Sequence, residues 1–490
     1  MEINIEHLSY RYKQEQEPIL DDINLHISEG EWVLVSGLSG SGKTTLAYAI
    51  AGILFHQNMG IYQGRVQIAE RLVEETPLYL ISDAVGFVQQ NAEDQFVALT
   101  VADEMAFGLE NKCIHPDEIK DRIHKTLELT RAETLLSRQL FELSGGEKQK
   151  IAIASILAQE PSILILDEPT SNLDMESTRA IFEVLENLRR EINLTVIVIE
   201  HKVALFADLF KRCLYLEDGK IQFDGSTERS PFFQEKIRIK KKVQLFTEEQ
   251  NKPYLTLCGW VYENEHHFKL EIPKLDIQKG EIIALMGANG SGKSTFFKTL
   301  TGIAEPCQGH LILDDREVKK LDSPELGMIF QNADEQIFMN SVQEEIDYAI
   351  DNLHLRNEDL TTRANELLDY FGMTNKKNCN PHQLSYGEKK RVNLAAILVY
   401  SPNILLLDEV FIGQDIVQVN YIVEKIHDLR EKGVTVIAAI HDPALMQALA
   451  DRVIFLEDGK LRFCLTLQQA VSWWQVNGYG DYLPGNQGGL

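Results

Sequence analysis

The stretch GLSGSGKTT, Gly37–Thr45, follows the apolar run Trp32–Val35 and precedes a helical pattern. It recurs 250 residues later as GANGSGKST, Gly287–Thr295, after the apolar run Ile282–Leu285. Both fit G-x-x-x-x-G-K-[ST] between a strand and a helix, the context that marks a phosphate-binding loop. Gly37, Gly40, Gly42 and their repeats Gly287, Gly290, Gly292 let backbone N–H groups turn toward phosphate, and the helix N-terminus adds a favourable dipole. Lys43 and Lys293 are expected to reach the β- and γ-phosphates of ATP, and the hydroxyls of Thr44 and Ser294 to ligate Mg²⁺. The intervening and flanking Ser39, Ser41, Thr45 and Asn289, Ser291, Thr295 complete the two sets of expected nucleotide contacts.

The repetition continues in order along the chain. Gln90, Ser144 and Asp167 recur 241 residues later as Gln331, Ser385 and Asp408, and His201 recurs 240 residues later as His441. The fall in offset from 250 to 241 says that the second copy lacks about nine residues between its Gly-rich loop and its glutamine. The expected domains are 1–224 and 254–490, joined by a linker over 225–253. Short β-rich runs such as Trp32–Ser36, Ile163–Leu166 and Thr195–Ile199 alternate with helical patterns such as Ser177–Glu191. That alternation predicts an α/β fold: two P-loop ATPase domains in tandem, each a mostly parallel sheet with helices packed on it.

Composition narrows the class. The 490 residues are 44% hydrophobic and carry a formal net charge of −26, which disfavours broad sequence-independent binding to nucleic acid. No apolar run approaches the roughly 18 residues of a membrane span, and the N-terminus has no basic head followed by an apolar core. The expectation is a cytoplasmic protein that reaches a membrane only by docking on an integral partner. The six scattered cysteines form no metal-binding pair. The linker carries Lys236, Arg238, Lys240, Lys241 and Lys242, read as a solvated tether, with attraction to anionic lipid as the alternative. Trp473 and Trp474 in the tail are expected to dock on their own domain.

Three further motifs carry chemistry. The runs ILILDEPT and ILLLDEVF deliver Asp167, Glu168 and Asp408, Glu409 at the end of buried strands, the edge at which open α/β sheets bind ligands. The first acid of each pair suits an indirect, water-mediated hold on Mg²⁺, and the second suits a general base for the attacking water. The strands TVIVIEH and TVIAAIH end at His201 and His441, read as γ-phosphate sensors that orient water and glutamate. LSGGEKQK (Leu143–Lys150) and LSYGEKKR (Leu384–Arg391) each open a helix, with Ser144 and Ser385 as N-caps. Such a helix start is also an anion site. Because each half already has a phosphate loop, this second site is expected to serve the other half's nucleotide.

At this point the sequence resembles the nucleotide-binding domains of ABC transporters over nearly its whole length, which implies a helical signature subdomain in each half. LSGGE and LSYGE are similar to the family's LSGGQ signature, with Glu147 and Glu388 at the usual glutamine. The resemblance implies two ATPs sandwiched head to tail between the two domains. One site would combine the first loop with Ser385 and Gly387, the other the second loop with Ser144, Gly145 and Gly146. Gln90 and Gln331 match the family's Q-loop glutamine, a contact to Mg²⁺ and to the membrane partner. Tyr12 and Tyr262 match its adenine-stacking aromatic, with Tyr10 and Trp260 as competitors. The segments Gln89–Gly108 and Phe330–Ile350 resemble more narrowly the ATPases of energy-coupling factor (ECF) importers of vitamins and metal ions. The fused form resembles those assigned to hydroxymethylpyrimidine or thiamine uptake.

The expected protein is therefore an ATP-hydrolysing translocase subunit, peripheral on the cytoplasmic face of the membrane and partnered by integral scaffold and substrate-binding subunits. Two alternatives share the repeat layout: a twin-cassette translation factor, and a sugar-importer ATPase. The second copy also departs from the first. It has Val410 for Pro169, Gln414 for Leu173 and Tyr386 for Gly145, so both sites are expected to hydrolyse ATP at unequal rates.

Overall fold

The apolar runs ahead of each Gly-rich loop and each acid pair are buried on both faces, which makes them central parallel strands. The computed structural model describes residues 1–13, 17–57, 60–171, 173, 175–201, 203–233, 252–264, 268–355 and 358–484. The chain divides into two compact units, the division falling inside 234–251. The basic run at 236–242 lies outside the described residues.

In the first unit the strand order is Lys220–Ser226, Arg212–Glu217, Trp32–Gly37, Thr195–Ile199, Ile163–Asp167, Val85–Val88. All pairings are parallel except the hairpin between the first two strands. A separate antiparallel sheet contains Ile3–Tyr12, Leu20–Ile27 and Gly60–Ile68. The second unit repeats both layers, from Lys460–Thr466 through Ile282–Met286 to Leu326–Ile329. There a single parallel bridge, Glu271 with Lys460, joins the two layers into one ten-stranded sheet. Register explains the site: Val35 and Asp167 both pair with Ile199, and Leu285 and Asp408 both pair with Ala439. The phosphate loop and the acid pair thus leave the sheet at the same edge.

Each unit adds a helical subdomain: Val101–Asn111, Pro116–Thr130 and Gly145–Leu157 in the first, Val342–Asn352, Glu358–Tyr370 and Tyr386–Leu398 in the second. In the first unit its own small core gathers Val101, Met105, Ile123, Leu127 and Ile151. The residues missing from the second copy are accounted for by the helices Ile53–His56 and Leu78–Ala84, which have no counterpart among the described residues there. Gly225 and Ser226, placed in the linker by sequence, close the last strand of the first unit, and short 3₁₀ turns follow at Thr227–Arg229 and Pro231–Phe233. In the tail, Trp474 is fully buried against Phe455 (centroids 5.5 Å) and stacks on Tyr482 at 5.2 Å; Trp473 packs on Phe463 at 4.9 Å. Both tryptophans dock on their own unit.

Candidate functional site

The two loops take the same shape. Gly42 and Gly292 cap the helices Lys43–Ile50 and Lys293–Leu300 in a left-handed conformation, φ +98° and +102°, which favours glycine. A Cβ on Gly42 would lie 2.6 Å from the Ile19 carbonyl, so the position excludes a side chain on two grounds. Lys43 Nζ donates to the carbonyls of Gly37 (2.9 Å) and Leu38 (2.8 Å), and Lys293 Nζ to those of Gly287 (2.9 Å) and Ala288 (3.0 Å). Each ammonium is thereby held on the first carbonyls of its own loop.

The acid pairs stand beside these loops. Glu168 and Glu409 have left-handed backbones, φ +47° and +53°, a rare geometry for a residue with a Cβ and one found at functional sites. Each carboxylate is gripped from two sides. Gln90 Nε2 donates to Glu168 Oε2 at 2.7 Å and Gln331 Nε2 to Glu409 Oε2 at 2.8 Å. His201 Nε2 lies 2.8 Å from Glu168 Oε1 and His441 Nε2 2.6 Å from Glu409 Oε1. An ionised carboxylate only accepts, so both rings carry a hydrogen on Nε2. Burial pushes the Glu409 carboxyl up, but His441, Lys293 and Lys390 hold it net below its ordinary value.

Burial, with the adjacent Glu168 charge, pushes Asp167 up to about 7, against the Thr44 hydroxyl bonded to it and Lys43. Asp408 is pushed up by burial to about 6, with Ser294, Lys293 and Lys390 opposing. Asp167 Oδ1 and Asp408 Oδ1 are buried with no hydrogen-bond partner. A lone carboxylate oxygen next to a loop hydroxyl is the hard-oxygen donor set that Mg²⁺ takes; Thr44 and Asp167, and Ser294 and Asp408, therefore fit that ion.

The signature segments fold as sequence reasoning expects of helix starts. Ser144 and Ser385 cap Gly145–Leu157 and Tyr386–Leu398, and each forms a reciprocal capping box with the glutamate three residues on. Ser144 N donates to Glu147 Oε2 at 2.8 Å and Ser385 N to Glu388 Oε2 at 3.0 Å. That gives the glutamates their local role. Of the aromatic candidates, Tyr10 and Trp260 are sealed in the cores, whereas Tyr12 and Tyr262 stay half-exposed at strand ends. Tyr12 Oη lies 3.3 Å from Thr45 Oγ1, next to the loop.

Sequence reasoning points to the stretches after Gln90 and Gln331, near Asp94–Phe96 and Glu335–Phe338, as a docking surface, but it missed the hydrogen bonds that shape them. Gln95 and Gln336 close this loop by accepting from Gln89 N (2.7 Å) and Phe330 N (2.8 Å). Buried Glu104 accepts from the N–H groups of Val97 (2.9 Å) and Ala98 (3.0 Å), and buried Glu345 from those of Phe338 (2.9 Å) and Met339 (2.8 Å). These rigid turns present Val97, Leu99 and Phe338, at 63%, 77% and 67% exposure. Both pairs obey the 241-residue offset, a signal that could have found them. Buried Glu200, which accepts from Thr170 N (3.1 Å) and Thr170 Oγ1 (2.5 Å), was likewise unforeseen.

Known proteins with this arrangement agree on the family. A family profile described as ABC transporter matches residues 20–171 and 270–411. A Methanosarcina mazei protein provisionally named an ABC transporter ATP-binding protein is 33% identical, the match covering 94% of this chain and 88% of that one. A Bacillus subtilis protein provisionally named an HMP/thiamine import ATP-binding protein, YkoD, is 32% identical over 94% of this chain and 91% of its own. A chain from a ribosome-bound assembly of archaeal Pelota and ABCE1 shares the fold at 21% identity, with a TM-score of 0.71 over 99% of this chain and 84% of that one. Two intact sets of loop, acid pair, glutamine, histidine and signature helix, together with these matches, make this chain a member of the ABC transporter family, an ATP-hydrolysing subunit with two ATP-binding cassettes.

Proposed function

We propose that this chain energises an ECF-type importer from the cytoplasmic face of the membrane, docked on integral scaffold and substrate-binding subunits, and that both of its cassettes hydrolyse ATP. Lys43 and Lys293 would leave their loop carbonyls for the β- and γ-phosphates, and Tyr12 and Tyr262 would stack on adenine. Thr44, Asp167 and Gln90, and Ser294, Asp408 and Gln331, would hold Mg²⁺, whose charge when bound offsets that of the phosphates. Glu168 and Glu409 would take a proton from the attacking water, and His201 and His441 would orient that carboxylate. Ser144, Gly145 and Gly146 would serve the second cassette's nucleotide, and Ser385 and Gly387 the first's.

The observation that carries the membrane reading is the pair of Glu-braced turns after Gln90 and Gln331, with their exposed Val97, Leu99 and Phe338. An apolar surface joined to the γ-phosphate region by one rigid loop suits a partner that must sense nucleotide. Among the described residues no helix is long and apolar enough to cross a membrane, so the chain's route to the bilayer would be this surface. The YkoD likeness supports uptake of a thiamine-type compound. The test is affinity isolation of the full chain from detergent-solubilised membranes. Recovery of small integral subunits, lost when Leu99 and Phe338 are changed to Asp, is expected. Recovery of ribosomes or of a sugar permease instead would overturn the reading.

A further inference from the structure

The left-handed backbone of the catalytic-site glutamate must be held from its carbonyl side, and the two cassettes do this with different residues. In the first, the Glu168 carbonyl accepts from Ser171 Oγ at 3.0 Å and from Ser171 N at 3.2 Å. The equivalent position in the second is Ile412, which offers only its N–H, at 3.3 Å. There the missing hydroxyl is replaced from another element: Lys390 Nζ, on the signature helix, donates to the Glu409 carbonyl. The first cassette has Gln149 at that place, buried, with Nε2 unbonded. The exchange is therefore paired, Ser171 with Gln149 against Ile412 with Lys390.

Lys390 is wholly buried, and a buried ammonium is costly unless it is compensated. Here the compensation comes from a ring and two carboxylates. The Tyr386 ring lies 4.8 Å from the ammonium, and Asp408 and Glu409 supply opposing charge. Tyr386 is in turn fixed by donating from its hydroxyl to the Gln331 carbonyl at 2.6 Å. Gly413 makes room for it, since a Cβ there would come within 2.9 Å of Tyr386 Cδ1. Gln414 Nε2 then ties the same loop to the Gly387 carbonyl at 2.9 Å. The departures at 386 and 414 thus belong to one polar seam between signature helix and acid loop.

We propose that Lys390 is a positioning residue of the second ATP site, holding the Glu409 main chain from the signature helix in place of the hydroxyl that does so in the first. This rests on the reading of Glu409 as the base. It makes the second base move with its own signature helix, whereas the first is braced from within its own loop.

The experiment uses the full chain with Glu168→Gln, so that turnover reports the second site. Lys390→Gln, which installs the first cassette's residue, is expected to lower kcat about ten-fold with KM for ATP unchanged. Adding Ile412→Ser, which completes the first cassette's pair, is expected to restore kcat. Undiminished turnover in Lys390→Gln, a loss seen in KM alone, or no recovery in the Lys390→Gln/Ile412→Ser chain would overturn the proposal. The last result holds even if the single variant folds poorly. The Glu168→Gln/Glu409→Gln chain separates the two readings: if it keeps the parent's turnover, the assignment of the base falls and this proposal with it. If it is silent while Lys390→Gln is fully active, only the role of Lys390 falls.

Discussion

Replacing Glu168 or Glu409 by glutamine changes one oxygen of a carboxylate that is held at both ends. Glu168 accepts from His201 and Gln90 at 2.8 and 2.7 Å, and Glu409 from His441 and Gln331 at 2.6 and 2.8 Å. A carboxamide keeps one acceptor and presents an NH₂ on the other side. The Gln90 or Gln331 amide can turn over to meet that NH₂, so the net cost in stability should stay within about 1 kcal/mol. Catalysis has no such repair, because an amide cannot take the water's proton. A positioned general base contributes about 10²–10⁴ in rate, which is roughly 3–5 kcal/mol of barrier. In a chain with two working sites each single variant should keep the turnover of the other, and the double variant should fall about 10²-fold or more. The residual rates should differ, since the second site alone has the Tyr386–Lys390 seam. Steady-state ATPase measurements and nucleotide trapping on the two single variants and the double decide it. Complete loss from one single variant with no effect from the other would refute two active sites.

Three further outcomes follow from particular contacts. Lys43→Ala or Lys293→Ala should each reduce bound ATP from about two to about one per chain in equilibrium dialysis, because each loop has its own ammonium. The Glu388 carboxyl, though burial raises it, is held net below its ordinary value by Lys376 and by the Ser385 N–H and hydroxyl. Its contribution to stability is therefore complete above the unfolded-state glutamate value and lost as pH falls through the lowered folded value. The melting-temperature gap between the parent and Glu388→Gln should be wide at about pH 7 and shrink on acidification below about pH 4. Trp474→Ala removes a fully buried ring from the Phe455–Tyr482 cluster and should destabilise the second unit by about 3–5 kcal/mol; a urea midpoint unchanged from the parent would contradict that packing.

What was legible in the sequence, and what was not, follows from where each interaction is encoded. The Gly-rich loops, acid pairs, capping serines and Trp473–Trp474 docking are local: one strand, one turn or one amphipathic helix carries each, so periodicity and spacing reach them. The alternation of strand and helix announced the parallel sheet. It could not show that the antiparallel layer joins it in the second unit by one bridge, Glu271 with Lys460, since a single pairing leaves no pattern. Glu104 and Glu345 look like surface acids on amphipathic helices until the fold brings the Val97–Ala98 and Phe338–Met339 N–H groups to them. Lys390 is the sharpest case. In LSYGEKKR it stands among three cations on what reads as a solvated helix start. Only the packing of that helix on the Asp408–Glu409 loop turns it inward, where the Ile412 side chain has no hydroxyl to offer. Tyr386, Lys390, Ile412 and Gln414, each odd beside the first copy, make sense as a set because each fills a need created by another. Drift away from a consensus would leave the Glu409 carbonyl without its side-chain donor, whereas here Lys390 supplies one.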